Sequence, residues 1–290
     1  MSEVQYSAPA NLADAVALLA GGGSPAVLAG GTDLLVQLRG GRPEPSAFID
    51  IKRIPELTAI RMAGDVVSIG AAVPAAQITE HPELGAVFPG VVEALGLIGS
   101  TQIQGRATPG GNLCNASPAA DSVPAMVASG AICRVAGPAG ERRIPVEQFV
   151  TGPGKTVLRA GEFLVCLELP RPAAGTADAY LRFIPRTEMD IAVAGAAVSL
   201  TLDAGGVCTA ARVAIGAVAP TVLLVPDAAD ALIGSRLEDN ALNEAGAAAS
   251  AIARPIDDKR GTVAYRKAVV GVLTRRAAKI AYQRAQGGAA

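Results

Sequence analysis

Two glycine-rich segments contain the residues of this sequence that are best suited to bind a ligand. The first runs from Ala29 to Leu35 and reads AGGTDLL, and the second runs from Thr108 to Asp121 and reads TPGGNLCNASPAAD. Glycine lets the backbone approach a ligand closely, and the free N–H groups where a helix begins suit phosphate. We expect each segment to be a loop that opens a helix, the second helix beginning near Pro118. Two such loops could hold a diphosphate from two sides.

Other kinds of site find little support in the sequence. The only histidine, His81, lies in a polar segment before a proline, so we expect it to be structural or solvated. A zinc or iron–sulfur site needs clustered ligands, but the cysteines are dispersed at positions 114, 133, 166 and 208. Residues 152–156 resemble the end of a phosphate-binding P-loop, yet the required earlier glycine is replaced by Phe149. The sequence therefore predicts neither a metal site, a nucleophilic triad nor ATP binding.

Composition narrows the class of protein further. Half of the 290 residues are hydrophobic, and the net charge is −1, from 25 basic and 26 acidic residues. That balance argues against electrostatic binding to nucleic acid or to a membrane surface. No apolar run reaches the roughly 18 residues of a membrane span, and the first residues lack the pattern of a signal peptide. We therefore expect a cytoplasmic protein without a membrane span.

The periodicity of apolar residues divides the chain into three units. Residues 1–57 are expected to form a small α/β unit, in which strand Ala26–Leu28 leads into the first glycine loop. Residues 58–170 are expected to form a second unit, with a helix over Glu83–Ile98 and a strand over Phe163–Leu169 that Pro170 ends.

The third unit is expected at residues 176–284. Two strands, Ile191–Leu202 and Val207–Gly216, precede helices at about 227–235, 240–253 and 262–284. Strands followed by helices, without alternation, favour an α+β arrangement.

Several separated motifs together resemble the FAD-binding medium subunits of the molybdenum hydroxylases, the family of xanthine dehydrogenase and carbon monoxide dehydrogenase. Both glycine-rich segments match that family in order and composition, and the resemblance extends from about Tyr6 to about Tyr282. The later matching motifs are RTEMDIA at 186–192, GAVAPT at 216–221, DDKR at 257–260 and Tyr265-Arg266.

The resemblance implies a fold and a function. The fold would be α+β: a two-part FAD-binding domain of the PCMH type, followed by a C-terminal α+β domain with a small antiparallel sheet. The chain would carry FAD as the electron-transfer subunit of a heterotrimer, with a large molybdenum-cofactor subunit and a small subunit holding two [2Fe–2S] clusters. The whole enzyme would be an oxidoreductase and a dimer of heterotrimers. Its substrate and its electron acceptor stay open.

The resemblance also implies which residues contact FAD. The diphosphate would lie between the first loop and the second, with Asp121 accepting from a sugar hydroxyl, Leu164 beside the ring system and Arg182 near the pyrimidine edge. The first-loop positions are Val27, Leu28, Ala29, Gly30, Gly31, Thr32, Asp33 and Leu34. The remaining positions are Ile98, Gly99, Thr108, Gly111, Asn112 and Ala120.

Alternatives stay open on the sequence alone. Asp121 could be only a charge at the start of a helix, and Ile98 and Leu164 would be core residues in any case. The chain could also be a free-standing FAD-dependent oxidoreductase with its own substrate, or a scaffold that has this fold without a cofactor. The intact glycine loops and Asp121 argue against the scaffold.

Overall fold

The computed structural model describes residues 4–287, and its first region is a small α/β unit. Its three strands form a parallel sheet in the order β1-β3-β2. The Asn11 side chain accepts the Asp14 N–H and so begins the first helix, as the sequence predicts. The elements are β1 (Gln5–Ser7), α1 (Leu12–Ala20), β2 (Ala26–Leu28), α2 (Leu34–Arg39) and β3 (Ala47–Asp50), with short 3₁₀ turns at Ile51–Arg53 and Pro55–Leu57.

The second region is built on a five-stranded antiparallel sheet in the order β4-β5-β10-β6-β7. Its central strand, β10 (Phe163–Pro170), is the last of the five in the chain and lies between β5 and β6. The preceding strands are β4 (Ile60–Arg61), β5 (Val66–Gly70), β6 (Ile132–Gly137), β7 (Gly140–Pro145), and the separate hairpin β8 (Val150–Gly152) and β9 (Lys155–Thr156). The helices are α3 (Ala75–Thr79), α4 (Leu84–Val87), α5 (Pro89–Gly96), α6 (Thr101–Gln104), α7 (Pro109–Cys114), α8 (Ser122–Ala128) and α9 (Val146–Phe149).

The third region is a four-stranded antiparallel sheet covered by helices; the sequence pattern predicts strands followed by helices, but only two of the four strands. The strands, in the order β11-β12-β13-β14, are β11 (Thr176–Phe183), β12 (Ala194–Leu202), β13 (Cys208–Gly216) and β14 (Leu223–Leu224). The helices are α10 (Pro226–Leu232), α11 (Asp239–Ile252) and α12 (Val263–Ala285). None of the helices within residues 4–287 combines the length and the apolar character needed to cross a membrane.

The C-terminal sheet is buried on both faces. Alternate residues of its strands, including Val198 and Val213, pack against α10–α12 in one hydrophobic cluster. Residues on the opposite face, Tyr180, Ala197 and Ala214, belong to the hydrophobic cluster of the second region. The second and third regions therefore share a continuous core, because side chains of a strand alternate between two faces.

Two sequence predictions of local structure were wrong. The helix predicted over 83–98 is divided into α4 and α5 at Phe88, whose φ of −135° is not helical. Pro89 follows, and a proline disfavours helical geometry in the residue before it. The strand predicted from Ile191 begins at Ala194, and β11, which starts the third sheet, was not predicted as a strand.

Polar residues at alternate positions of β11 connect the C-terminal sheet to the rest of the chain. Asp178 accepts the N–H of Gly90 at the start of α5 at 3.0 Å through Oδ1. Its other oxygen is buried and has no hydrogen-bond partner within residues 4–287. Burial raises the pKa of Asp178 to about 6, the Glu93 carboxylate raises it further, and the Gly90 N–H and the Arg284 guanidinium lower it.

We expect the unfolding free energy to rise as the pH falls from about 7 to about 5, by about 1 kcal/mol from Asp178 alone. A carboxyl whose folded pKa is raised to about 6 binds a proton more tightly in the folded state than in the unfolded chain, so protonation stabilises the fold. Urea unfolding at several pH values measures this effect. Asp178→Asn should lose that part of the pH dependence, whereas the exposed Asp230→Asn should keep it; equal slopes in all three proteins would contradict the prediction.

Candidate functional site

The two glycine-rich segments lie against each other in the fold. A Cβ placed on Gly30 would lie 1.8 Å from the carbonyl oxygen of Arg106 and 3.3 Å from the amide nitrogen of Ala107. Only a residue without a side chain permits this approach. The segment that leads to Thr108 therefore borders the first loop directly, and the two sequence motifs meet at one place.

The first loop presents several unpaired N–H groups. Within residues 4–287, the backbone N–H groups of residues 30–33 donate to no protein acceptor. Gly31 has a φ of +78°, in the left-handed region that favours glycine. Successive N–H groups around such a turn form a concavity that suits an anion. This loop therefore supplies backbone donors of the kind that the sequence predicts for a diphosphate.

The second segment differs from the loop that the sequence predicts. Residues 109–114 form α7, with Pro109 at its first position. The Thr108 side chain begins this helix by accepting the Gly111 N–H at 2.9 Å, so that N–H is already used. Proline suits the first turn of a helix because its missing N–H would have no partner there.

Two side chains of the second segment keep donors available. The Oδ1 of Asn112 accepts the Ser122 hydroxyl at 2.6 Å, whereas its side-chain N–H₂ has no partner within residues 4–287. The Thr108 hydroxyl accepts from Gly111 and keeps its own hydrogen free to donate. Thus this segment offers the side chains of Thr108 and Asn112 as donors, whereas the Gly111 amide is already used.

A cavity of about 580 Å³ lies between the two segments, within the range of small-molecule sites. It collects most of the residues that the sequence analysis proposed. These are Val27, Ala29, Gly30, Gly31, Thr32, Asp33, Leu34, Ile98, Thr108, Gly111, Asn112 and Leu164.

Five proposed residues do not line this cavity. Leu28 pairs with β3, and Gly99 occupies a left-handed turn with a φ of +59°. Ala120 is buried in the core, and the other two, Asp121 and Arg182, form an ion pair with each other.

The Asp121 ion pair joins the second and third regions. Arg182 Nη1 lies 2.5 Å from Asp121 Oδ2, and the Tyr180 hydroxyl donates to Asp121 Oδ1 at 2.9 Å. Both charged side chains are less than a tenth exposed. Burial raises the pKa of Asp121 to about 6, although Arg182 and Tyr180 lower it. The carboxylate is therefore held by β11 and is not a free group at the start of α8.

The cavity also includes residues that the sequence analysis missed. Gln37 donates from Nε2 to the Oδ1 of Asn115 at 2.7 Å, and this bond links α2 to the residue after α7. Glu162 lies just before β10 and forms two hydrogen bonds, of 2.9 and 2.8 Å, with the guanidinium of Arg142. That partner, together with the Arg159 N–H, lowers the pKa of Glu162. No short motif marks these residues, because long-range packing brings them to the cavity.

The donor set fits a dinucleotide with a diphosphate. Unpaired N–H groups and two side-chain donors suit phosphate oxygens, whereas Ile98, Phe163 and Leu164 provide apolar surface for rings. Within residues 4–287 there is no group of three or more His, Cys, Asp or Glu side chains placed to hold a metal ion. Burial raises the pKa of the one cysteine at the cavity, Cys114, to about 12, so it is a thiol at neutral pH.

Comparison with known proteins accounts for nearly the whole chain. Residues 2–172 match the family described as the FAD binding domain in molybdopterin dehydrogenase. Residues 179–281 match the CO dehydrogenase flavoprotein C-terminal domain.

Individual proteins resemble the chain along most of its length. The carbon monoxide dehydrogenase medium chain of Hydrogenophaga pseudoflava is 36% identical over 281 residues, covering 97% of both chains. The xanthine dehydrogenase FAD-binding subunit of Escherichia coli O157:H7 is 36% identical over 218 residues, 74% of both. A chain in the crystal structure of cyanide-inactivated Cu,Mo-CO dehydrogenase superposes with a TM-score of 0.93 at 35% identity, covering 97% of this chain and 98% of that one.

Proposed function

Because this chain belongs to the family of FAD-binding medium subunits of the molybdenum hydroxylases, we propose that it passes electrons from iron–sulfur clusters of a partner subunit through FAD to an external acceptor. It is a subunit of an oxidoreductase with FAD as its cofactor. The observation that most supports the cofactor site is the cavity between the two glycine segments, with its unpaired N–H groups at residues 30–33.

The chain's own part in this function is to bind and orient the cofactor. FAD, when bound, supplies the redox chemistry. In our proposal the N–H groups of residues 30–33, the Thr108 hydroxyl and the Asn112 side-chain amide hold the diphosphate. Ile98 and Leu164 exclude water beside the rings. Asp121 and Arg182 are proposed to border the same cofactor beyond the cavity, where their ion pair fixes the C-terminal region.

We further propose two partner subunits, a large one with the molybdenum cofactor and a small one with two [2Fe–2S] clusters, in a dimer of heterotrimers. Relatives of this chain bear names that include "medium chain" and "FAD-binding subunit", which supports a role inside a larger enzyme. We also propose the domain limits 1–57, 58–170 and 176–284. Residues of the first two ranges line the cavity together, which supports a FAD-binding domain in two parts.

The first experiment is a visible spectrum of the purified chain, with and without added FAD, followed by release and identification of any bound flavin. We expect one FAD per chain, with a Kd in the micromolar range or below. Purification from the native host with a tag on this chain then tests the partners: we expect a large molybdenum-containing and a small iron–sulfur polypeptide to accompany it.

Two other outcomes of these experiments would support the alternative functions. FAD bound without any partner, together with turnover of a substrate by the chain alone, would support a free-standing oxidoreductase. Absence of flavin, both in the isolated chain and in its native assembly, would support a scaffold and contradict the proposal.

A further inference from the structure

A chain of polar contacts supports the first loop from the side opposite the cavity. Lys52 Nζ donates to the carbonyl oxygen of Ala29 at 2.9 Å and to Asp50 Oδ1 at 2.7 Å. The second oxygen of Asp50 accepts the Tyr6 hydroxyl at 2.7 Å. Asp50 lies at the end of β3 and pairs in register with Leu28, immediately before the loop. This network, Tyr6–Asp50–Lys52, therefore ends on the backbone of the first loop.

The contact with Ala29 determines how the next peptide group is oriented. In a planar trans peptide the C=O of one residue and the N–H of the next point in opposite directions, and the described chain has no cis peptide. The Ala29 carbonyl is directed at Lys52, so the Gly30 N–H is directed away from it. Gly30 lines the cavity and its N–H has no protein acceptor, whereas Lys52 does not line the cavity.

We propose that Lys52 is a positioning residue for the cofactor's diphosphate, acting through the Ala29–Gly30 peptide that it orients. This inference rests on the proposed FAD site and adds a residue that neither glycine motif contains. The Lys52 ammonium group also places a positive charge behind the loop, and this charge attracts an anion bound on the cavity side of the loop.

The surroundings of Lys52 indicate that its ammonium group makes a specific contact with the loop and is not simply a surface charge. The Asp50 side chain is nearly buried, and the Lys52 side chain that it holds is about a quarter exposed. The Lys52 N–H also donates to Asp50 Oδ1, at 3.0 Å, which begins the short 3₁₀ turn at Ile51–Arg53. The lysine stem is thus fixed at both ends, at its own backbone and at the loop.

The test compares ligands with and without phosphates. Lys52→Met removes the ammonium but keeps the length of the stem, and the exposed Lys155→Met is the matched control. The dissociation constants of FAD, ADP and adenosine are measured by calorimetry on the full chain. We expect Lys52→Met to weaken FAD and ADP by about tenfold, the loss for one misdirected hydrogen bond to a charged group, and to leave adenosine within about twofold.

Conservative variants separate positioning from folding. Lys52→Arg retains donors for both oxygens, so it should bind ADP within about threefold of the wild type. If Lys52→Met does not fold, Tyr6→Phe gives the same ADP-selective loss on a smaller scale, because Tyr6 is exposed and its hydroxyl only orients Asp50.

The outcomes distinguish the two proposals. A wild-type chain that binds neither FAD nor ADP overturns the proposed function, and this inference with it. A wild type that binds FAD, with Lys52→Met either unchanged or weakened equally for ADP and adenosine, overturns the positioning role alone.

Discussion

Replacing Gly30 with alanine is expected to weaken FAD binding by at least about 100-fold, which is the loss of about two hydrogen bonds to a charged group. The new Cβ would lie 1.8 Å from the carbonyl oxygen of Arg106 and 2.6 Å from its carbonyl carbon. Both obstacles are backbone atoms, so a side-chain rotation cannot relieve the overlap, and the two segments must separate. Titration of flavin fluorescence measures the Kd, and urea unfolding should show a further destabilisation of about 1–3 kcal/mol.

The control for this substitution is Gly85→Ala. Gly85 lies in α4, and a Cβ placed there meets no atom within 4 Å. We expect no loss of FAD affinity and a slight gain in stability, since alanine is the better helix former. If Gly30→Ala bound FAD as tightly as Gly85→Ala, the close approach of the two segments would have no role in the site.

The second large effect is expected at the buried ion pair between the second and third regions. Arg182→Met should lower the free energy of unfolding at neutral pH by about 3–5 kcal/mol, because the Asp121 carboxylate stays buried without its charged partner. Arg182 lowers the pKa of Asp121, so its removal raises that pKa further. Protonation then neutralises the carboxyl, so the deficit relative to the wild type should narrow as the pH falls from that raised pKa towards about 6, and should change little at lower pH, where the wild-type carboxyl is protonated as well. Urea unfolding at a series of pH values measures both effects.

Two further variants test the reason for that cost. Adding Asp121→Asn to Arg182→Met removes the unpaired charge and should recover a large part of the lost stability. Arg143→Met breaks the ion pair with Glu168, in which the arginine is about two-thirds exposed, and should cost at most about 1 kcal/mol. Equal losses for Arg182→Met and Arg143→Met would refute the idea of a buried, uncompensated carboxylate.

The sequence was sufficient to predict the first glycine loop and the overall fold class, because their signals are local. The glycines at positions 30 and 31 and the apolar periodicity of the long C-terminal helices are both visible in short stretches of the chain. The helix at 109–114 was missed for a local reason as well: Thr108 begins it through a side-chain bond, and two glycines do not prevent a short helix that packs closely on Ala71, the residue after β5.

Residues that act across the fold could not be predicted in the same way. Glu162 reaches the cavity because it precedes β10, the central strand of its sheet. Gln37 lines the cavity and is held by a hydrogen bond to Asn115, 78 positions later in the chain. From the sequence, Asp121 and Arg182 are predicted to be separate cofactor contacts, whereas the structure pairs them with each other. No spacing rule joins residues 61 positions apart, because their meeting depends on how β11 packs against α8.

The position of β10 has a consequence for how the protein is made. This strand contributes Phe163 and Leu164 to the cavity and forms the centre of the five-stranded sheet, yet it is the last of those strands to leave the ribosome. A nascent chain that ends before residue 163 holds both glycine segments but has a sheet divided at its centre. Pairings between strands distant in sequence form late and expose unpaired edges until they do. We therefore expect the chain to bind its cofactor only after β10 has been synthesised. Until then the unpaired edges of the sheet expose the nascent chain to aggregation.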